Sequence, residues 1–282
     1  MANNLRIVTD NAADRATIAA STTAGSLTTA NLKTDIKSEV WRATGTSATL
    51  TLTWTNAETV GCVVCAFANF TSLATMRARG YANVADVVGT ATTLFDTAAI
   101  QCCPPTPLGL WDWGNVPLGV NAYAFGGFVY GVVWPTAANI RKLVIDIADS
   151  TNSNGYVEVG RIVCGPYWSP AINAEYGAQA VPIDSSTHQR TDAGDLFTNR
   201  GFRSKALSFD MGSMTAADRI RVWDIFVTNG KTRPLFLSLS PQNNDDPTLE
   251  QQNQVYGKLN DTSAVAFKTL GVFATKIDIE EV

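Results

Sequence analysis

Charge is scarce in this chain. Of 282 residues only 21 are Lys or Arg and 25 Asp or Glu, a formal balance of −4. A low-charge, slightly acidic chain lacks the basic footprint that nucleic acid or an anionic lipid surface requires. No apolar run reaches the length that spans a bilayer, so no membrane insertion is expected. Met1–Thr9 lacks a basic start followed by an apolar stretch, so no secretory signal is read there, and synthesis in a cytoplasm is expected. Histidine occurs once, at His188, and no G-x-S-x-G motif is present. No base and nucleophile are thereby nominated, and no catalytic residue is expected. Cysteines number five, an odd count that leaves at least one outside any internal disulfide scheme. In a reducing compartment they are expected as buried thiols.

What is abundant is apolar: Ala, Val, Ile, Leu, Met, Phe, Trp, Tyr and Cys make up 45% of the chain. The length allows one large or two ordinary domains. Strand patterns dominate the first part. Thr49-Leu50-Thr51-Leu52-Thr53-Trp54 alternates with the period of a half-buried strand. Gly61–Phe67 is a continuous small apolar run, expected to be a strand buried on both faces. Further strands are read in Leu73–Tyr81, with its RARGY ending, in Ile140–Ile147 and in Tyr156–Cys164. Turn signals separate them, and helix patterns are few. Residues 1–168 are therefore expected to form a jelly-roll β-sandwich.

Tyr167–Arg203 is polar and proline-punctuated, and 169–203 is read as an extended arm or linker that orders on another subunit or domain. Residues 204–282 are read as a smaller β-rich, α+β domain. Its helix is expected over 215–229, with Thr215 as cap, Asp218 as its capping-box partner and Gly230 as the stop. Ile220, Trp223, Phe226 and Val227 form its expected buried stripe. Leu235, Leu237 and Leu239 then alternate as a strand with one buried face, onto whose sheet the helix is expected to pack. Ile277 and Ile279 alternate with Asp278 and Glu280, which reads as an edge strand with charges outward.

Three clusters bear on chemistry. Trp111-Asp112-Trp113 lies in a Pro/Gly-rich loop, where rings that stack on pyranose faces and a carboxylate that accepts hydroxyls suit glycan contact. The same rings equally suit anchoring of the loop to a partner or to its own core. Cys62-Val-Val-Cys65 has metal-ligand spacing, but residues three apart on a strand point to opposite faces. A cluster drawing on Cys62, Cys65, Cys102, Cys103 and Cys164 is the alternative to buried thiols, and no metal or cofactor is expected. Asn243, Asn244, Asp245 and Asp246 lack the alternating oxygens of a calcium loop.

Two family resemblances add to this reading. Trp41 with its following strand, the Gly61–Phe67 strand, and the ending RKLVIDI then VEVGRIVCG resemble galactose-binding-like jelly rolls of the discoidin type. SFDMGSMTAADRIRVWDIFVTNG, RPLFLSLSP, QVYGKL and the closing IDIEEV resemble domains of bacteriophage distal-tail and tail-tip proteins. The second resemblance implies a virion component, built in the host cytoplasm, that contacts other tail proteins and copies of itself in a cyclic homo-oligomer, threefold or sixfold. The leading expectation is a structural tail or baseplate protein. The alternative is a carbohydrate-binding module for host surface glycans.

Overall fold

A computed structural model describes residues 4–102, 129–242 and 247–282. The protein is mainly β and divides into two compact units. The first comprises Met1–Pro170 with Leu235–Gln254, and the second Ala171–Pro234 with Val255–Val282.

The first unit begins with Arg6–Val8 (β1), Thr17–Ala20 (β2), Trp41–Arg42 (β3), Ser47–Val60 (β4), Cys62–Ala68 (β5) and Thr75–Tyr81 (β6). Phe95–Asp96 (β7), Ile100–Gln101 (β8), Val129–Val133 (β9), Ala138–Ala148 (β10), Glu158–Val159 (β11) and Arg161–Gly165 (β12) follow. One sheet has the order β2-β4-β10-β6-β7, with β8 also on β6; a second runs β12-β5-β9; and β3 pairs with β11. The pairings of both sheets are antiparallel. Leu50, Leu52, Trp54, Leu143, Ile145, Ile147, Met76 and Ala78 from the first sheet share one core with Val63, Cys65, Val129, Val133, Ile162 and Cys164 from the second. This is the expected jelly-roll sandwich, and the two-residue period of β4 and β10 is what makes it possible.

As expected, β5 is buried along its whole length. Next to it lies an aromatic group of Phe67, Tyr130, Trp134, Tyr167 and Phe236, with ring centroids 5.4–6.3 Å apart. The Arg6 guanidinium sits 4.7 Å from the Trp134 ring and 4.5 Å from Tyr167. At β12 the buried Arg161 is paired with Asp14 (2.8 Å) and Asp35 (3.4 Å) and donates to the Leu32 carbonyl. These bonds tie the 3-10 turns Ala12–Arg15 and Thr29–Lys33 to the sandwich, and they satisfy a charge that would be costly to bury alone.

In the second unit Gln179–Asp184 (β13) pairs with Arg203–Met214 (β16), and Thr187–Arg190 (β14) pairs with Leu196–Asn199 (β15). The stretch expected as a linker is therefore largely an antiparallel ribbon, its side chains solvent-exposed. Ala216–Thr228 is the expected helix (α1), with Thr215 as cap and both halves of the Thr215–Asp218 capping box formed. Leu235–Ser238 (β17) belongs to the first unit, where it pairs with β1, and the short helix Pro247–Gln252 (α2) follows there. Gln254–Leu259 (β18), Ala266–Thr269 (β19) and Val272–Glu281 (β20) complete the chain.

Three expectations are corrected. First, α1 buries Val222, Ile225 and Phe226, while Ile220, Trp223 and Val227 are 61%, 61% and 71% exposed. Two overlapping stripes fit a 3.6-residue period here, and packing on β16 and β20 selects the other one. Second, β17 is buried on both faces, not one. Third, β20 is not an edge, because it pairs with β16 on one side and with β18 and β19 on the other. A side chain on Gly257 of β18 would strike the Glu280 carbonyl, so glycine there permits this close pairing.

Ile145 is fully buried at the centre of β10. Ile145→Ala is expected to lower the unfolding free energy by about 2–5 kcal/mol in urea titration, the range for large-to-small changes in a packed core.

Candidate functional site

The sequence-predicted site residues Trp111, Asp112 and Trp113 lie outside the described residues, as do Cys103 and Asn243–Asp246. The stems that flank 103–128 are described. Cys102 donates its N–H to the Ala74 carbonyl at 2.9 Å, and Val129 pairs with Ala68. The buried Gln251 amide donates to the carbonyls of Cys102 (3.0 Å) and Tyr130 (2.7 Å). One side chain of α2 thus bonds to both stems.

Near these stems is a second buried polar group. Asp149 accepts from the Thr71 N–H at 2.9 Å, the Thr71 hydroxyl at 2.5 Å and the Asn152 amide at 3.1 Å. Asn152 donates in turn to the Asn69 carbonyl, and Asn69 to that of Tyr156. Arg42 lies 4.1 Å from the Tyr156 ring and pairs with Glu158 at 2.7 Å. Tyr156, Arg42 and Glu158 are half-buried, leaving a ring, a cation and a carboxylate partly open to solvent at this end of the sandwich.

The larger polar array lies on the face of the β4-β10-β6-β7 sheet that points away from the core. Asp146 is opposite Thr49 on one side and Arg77 on the other, and Arg79 is opposite Asp96. Thr49 donates its hydroxyl to Asp146 at 2.9 Å, and Arg79 forms an ion pair with the same carboxylate. Arg77 grips Asp96 through two bonds, at 2.8 and 2.5 Å. The Arg77 guanidinium holds the Asp96 carboxyl below its ordinary range. The pair therefore contributes above the ordinary carboxylate pKa and is lost as pH falls through that lowered value. Among the described residues the buried Tyr81 hydroxyl and Arg79 Nε have no hydrogen-bond partner. This array is rigid because every member stands on a paired strand. The RARGY stretch carried a signal for it: arginines two apart on a strand share a face.

Cys62, Cys65 and Cys164 are buried free thiols, and Cys102 is buried as well. Burial pushes the Cys65 thiol up to about 12 and raises Cys62 and Cys164 as well, which leaves them without thiolate character. Among the described residues no three His, Cys, Asp or Glu side chains are placed to hold a metal. His188 is exposed on β14, and its Nδ1 lies 2.9 Å from the Thr198 hydroxyl across the ribbon. In the second unit an open cavity of about 350 Å³ is lined by Glu175, Asp210, Lys268, Thr275 and Lys276. Lys268 there contacts Glu175 at 3.4 Å and the Gly212 carbonyl at 3.2 Å.

No family model matches the chain, and no curated protein matches it. Solved structures do. A chitosan-binding module from the chitosanase/glucanase of Paenibacillus sp. IK-5 is 14% identical, covering 56% of this chain and 99% of its own, with a TM-score of 0.35. A fucose-binding module of Streptococcus pneumoniae is 9% identical, with 56% and 99% coverage and a TM-score of 0.36. A GH29 fucosidase of Ruminococcus gnavus, in complex with fucose, is 13% identical over 57% of this chain and 27% of its own, with a TM-score of 0.38. What those proteins bind is set by their own residues.

Gln251→Leu removes the donor shared by two carbonyls beside 103–128. It is expected to cost about 1–3 kcal/mol, the range for a buried acceptor left unsatisfied, as read by thermal or urea unfolding.

Proposed function

We propose that the sandwich unit is a non-catalytic carbohydrate-binding module. The observation that carries this reading is the fixed array of Thr49, Asp146, Arg79, Arg77 and Asp96 on its solvent-facing sheet. Sugar hydroxyls donate and accept, and a bound pyranose presents several of them at fixed spacing. Alternating carboxylate, guanidinium and hydroxyl groups on a rigid surface meet that pattern, and the hydroxyls they bind need no charge of their own. The half-buried Tyr156 ring beside Arg42 and Glu158 offers a second contact of ring and polar type.

The test is a glycan array followed by calorimetry on the hits. The Arg77→Ala/Asp96→Ala double variant removes one pair and leaves net charge unchanged. It is expected to weaken binding roughly tenfold or more, by loss of charge-assisted hydrogen bonds, with the melting temperature little changed. Absence of any glycan bound by the parent protein would overturn the proposal.

A second reading concerns the other unit, and a separate observation favours it. Tyr176, Leu196, Phe197, Phe202, Trp223 and Phe267 are all largely exposed there. Large apolar groups gathered on one small unit suit contact with protein, as in an assembly. On this reading, and on the resemblance of 204–282 to tail domains, the chain is a structural subunit of a bacteriophage tail. It is carried in the virion and associates with copies of itself and with other tail proteins. Cross-linking mass spectrometry on purified particles is expected to join this unit to tail proteins. Cross-links absent from tail fractions would exclude it.

A further inference from the structure

We infer that the open cavity of the second unit is a binding site for a small protonated amine that also carries hydroxyl groups, as an amino sugar does. Neither the sandwich array nor the assembly reading is needed for it. The cavity, about 350 Å³, falls in the size range of small-molecule sites. Three separate chain segments build it: Glu175, the end of β16 at Asp210 and Gly212, and 264–276, which runs through β19 into β20. All of them belong to the second unit. The Glu175 N–H donates to the Asp210 carbonyl at 2.9 Å, which ties the first segment to the second.

Two carboxylates define the site. A Cβ on Gly212 would strike the Glu175 carboxylate, so glycine at this irregular point of β16 is what seats that carboxylate at the cavity wall. Lys268 closes the seat, contacting Glu175 at 3.4 Å and the Gly212 carbonyl at 3.2 Å. Asp210 is treated differently. Lys276 stands opposite it in the pairing of β16 with β20, yet the Lys276 ammonium lies 3.1 Å from Asp278 instead. Among the described residues no ion pair or side-chain hydrogen bond reaches the exposed Asp210 carboxylate.

The balance of donors and acceptors selects the ligand. Thr275 is buried and spends its hydroxyl on the Ala264 carbonyl at 3.2 Å. Lys268 and Lys276 each already face a carboxylate of the protein. Asp210 offers two oxygens with no donor, and Glu175 keeps acceptor capacity beyond its contact with Lys268. What the cavity lacks is therefore a cation with several N–H groups, and an ammonium group supplies three. A neutral ligand would leave the Asp210 charge unanswered, and an anion would be repelled by it. The Lys268 ammonium has three donors and uses two within the protein, which leaves one for a ligand hydroxyl. Ala264, Ala266 and Ala274 give the cavity short apolar walls, against which the C–H face of a compact ring can rest.

The experiment is a two-dimensional amide NMR titration of the full chain with glucosamine, and separately with glucose and N-acetylglucosamine, which lack the charged amine. Glucosamine at millimolar concentration is expected to shift the amides of 210–212 and 274–276 saturably. The two neutral sugars are expected to bind there at least roughly tenfold more weakly, for want of the charge-assisted bond. Asp210→Asn keeps the size of an exposed side chain and removes its charge. It is expected to weaken glucosamine binding roughly tenfold, with the melting temperature little changed. No glucosamine shifts at these amides, equal affinity for all three sugars, or an unchanged affinity in Asp210→Asn would overturn the site. Glucosamine shifts confined to the sandwich unit would overturn it too, while leaving the carbohydrate-binding reading of that unit standing.

Discussion

The pairing of β10 with β4 and β6 is the constraint on which the sandwich rests. β10 is bonded to both neighbours along most of its length, with one irregularity between Ile140 and Lys142. Register in such a sheet is fixed because a one-residue slip would turn Leu143, Ile145 and Ile147 out to water and Asp146 into the core. The same register that buries the isoleucines lines up Thr49, Asp146 and Arg77 on the opposite face. The core and the polar array are therefore two consequences of one alternation.

The smaller sheet solves a different problem. Its central strand β5 is apolar on both sides, so the core covers only one of them, and aromatic side chains gather next to it. Phe236 in that group comes from β17, a segment more than 200 residues along the chain from its partner β1. This long-range pairing returns the chain to the first unit and makes that unit discontinuous. Buried polar groups are treated with similar economy: Arg161 is neutralised by two aspartates, and Asp149 is satisfied by three donors.

The second unit leaves more of its apolar surface outside. Its helix is held by the capping box and by Val222, Ile225 and Phe226, yet an almost equally regular stripe faces solvent. Its ribbon adds exposed Leu196 and Phe197. A unit built this way has satisfied its own fold and still presents adhesive surface, which is the physical basis of the assembly reading.

Local order was legible from the residues. The strict alternation over Thr49–Trp54, the small apolar run at Gly61–Phe67 and the Thr215–Asp218 capping box each specify an element through contacts a few residues apart, and each is found. Of the candidate array, the RARGY spacing placed two arginines on one face, but their partners Asp96 and Asp146 come from other strands. Sequence alone pointed to a different helical stripe as the buried one, read β20 as an edge, and did not show that β17 returns to β1. Those outcomes depend on which surfaces meet across large chain separations. Periodicity says that a face is apolar; only the packed structure decides what covers it.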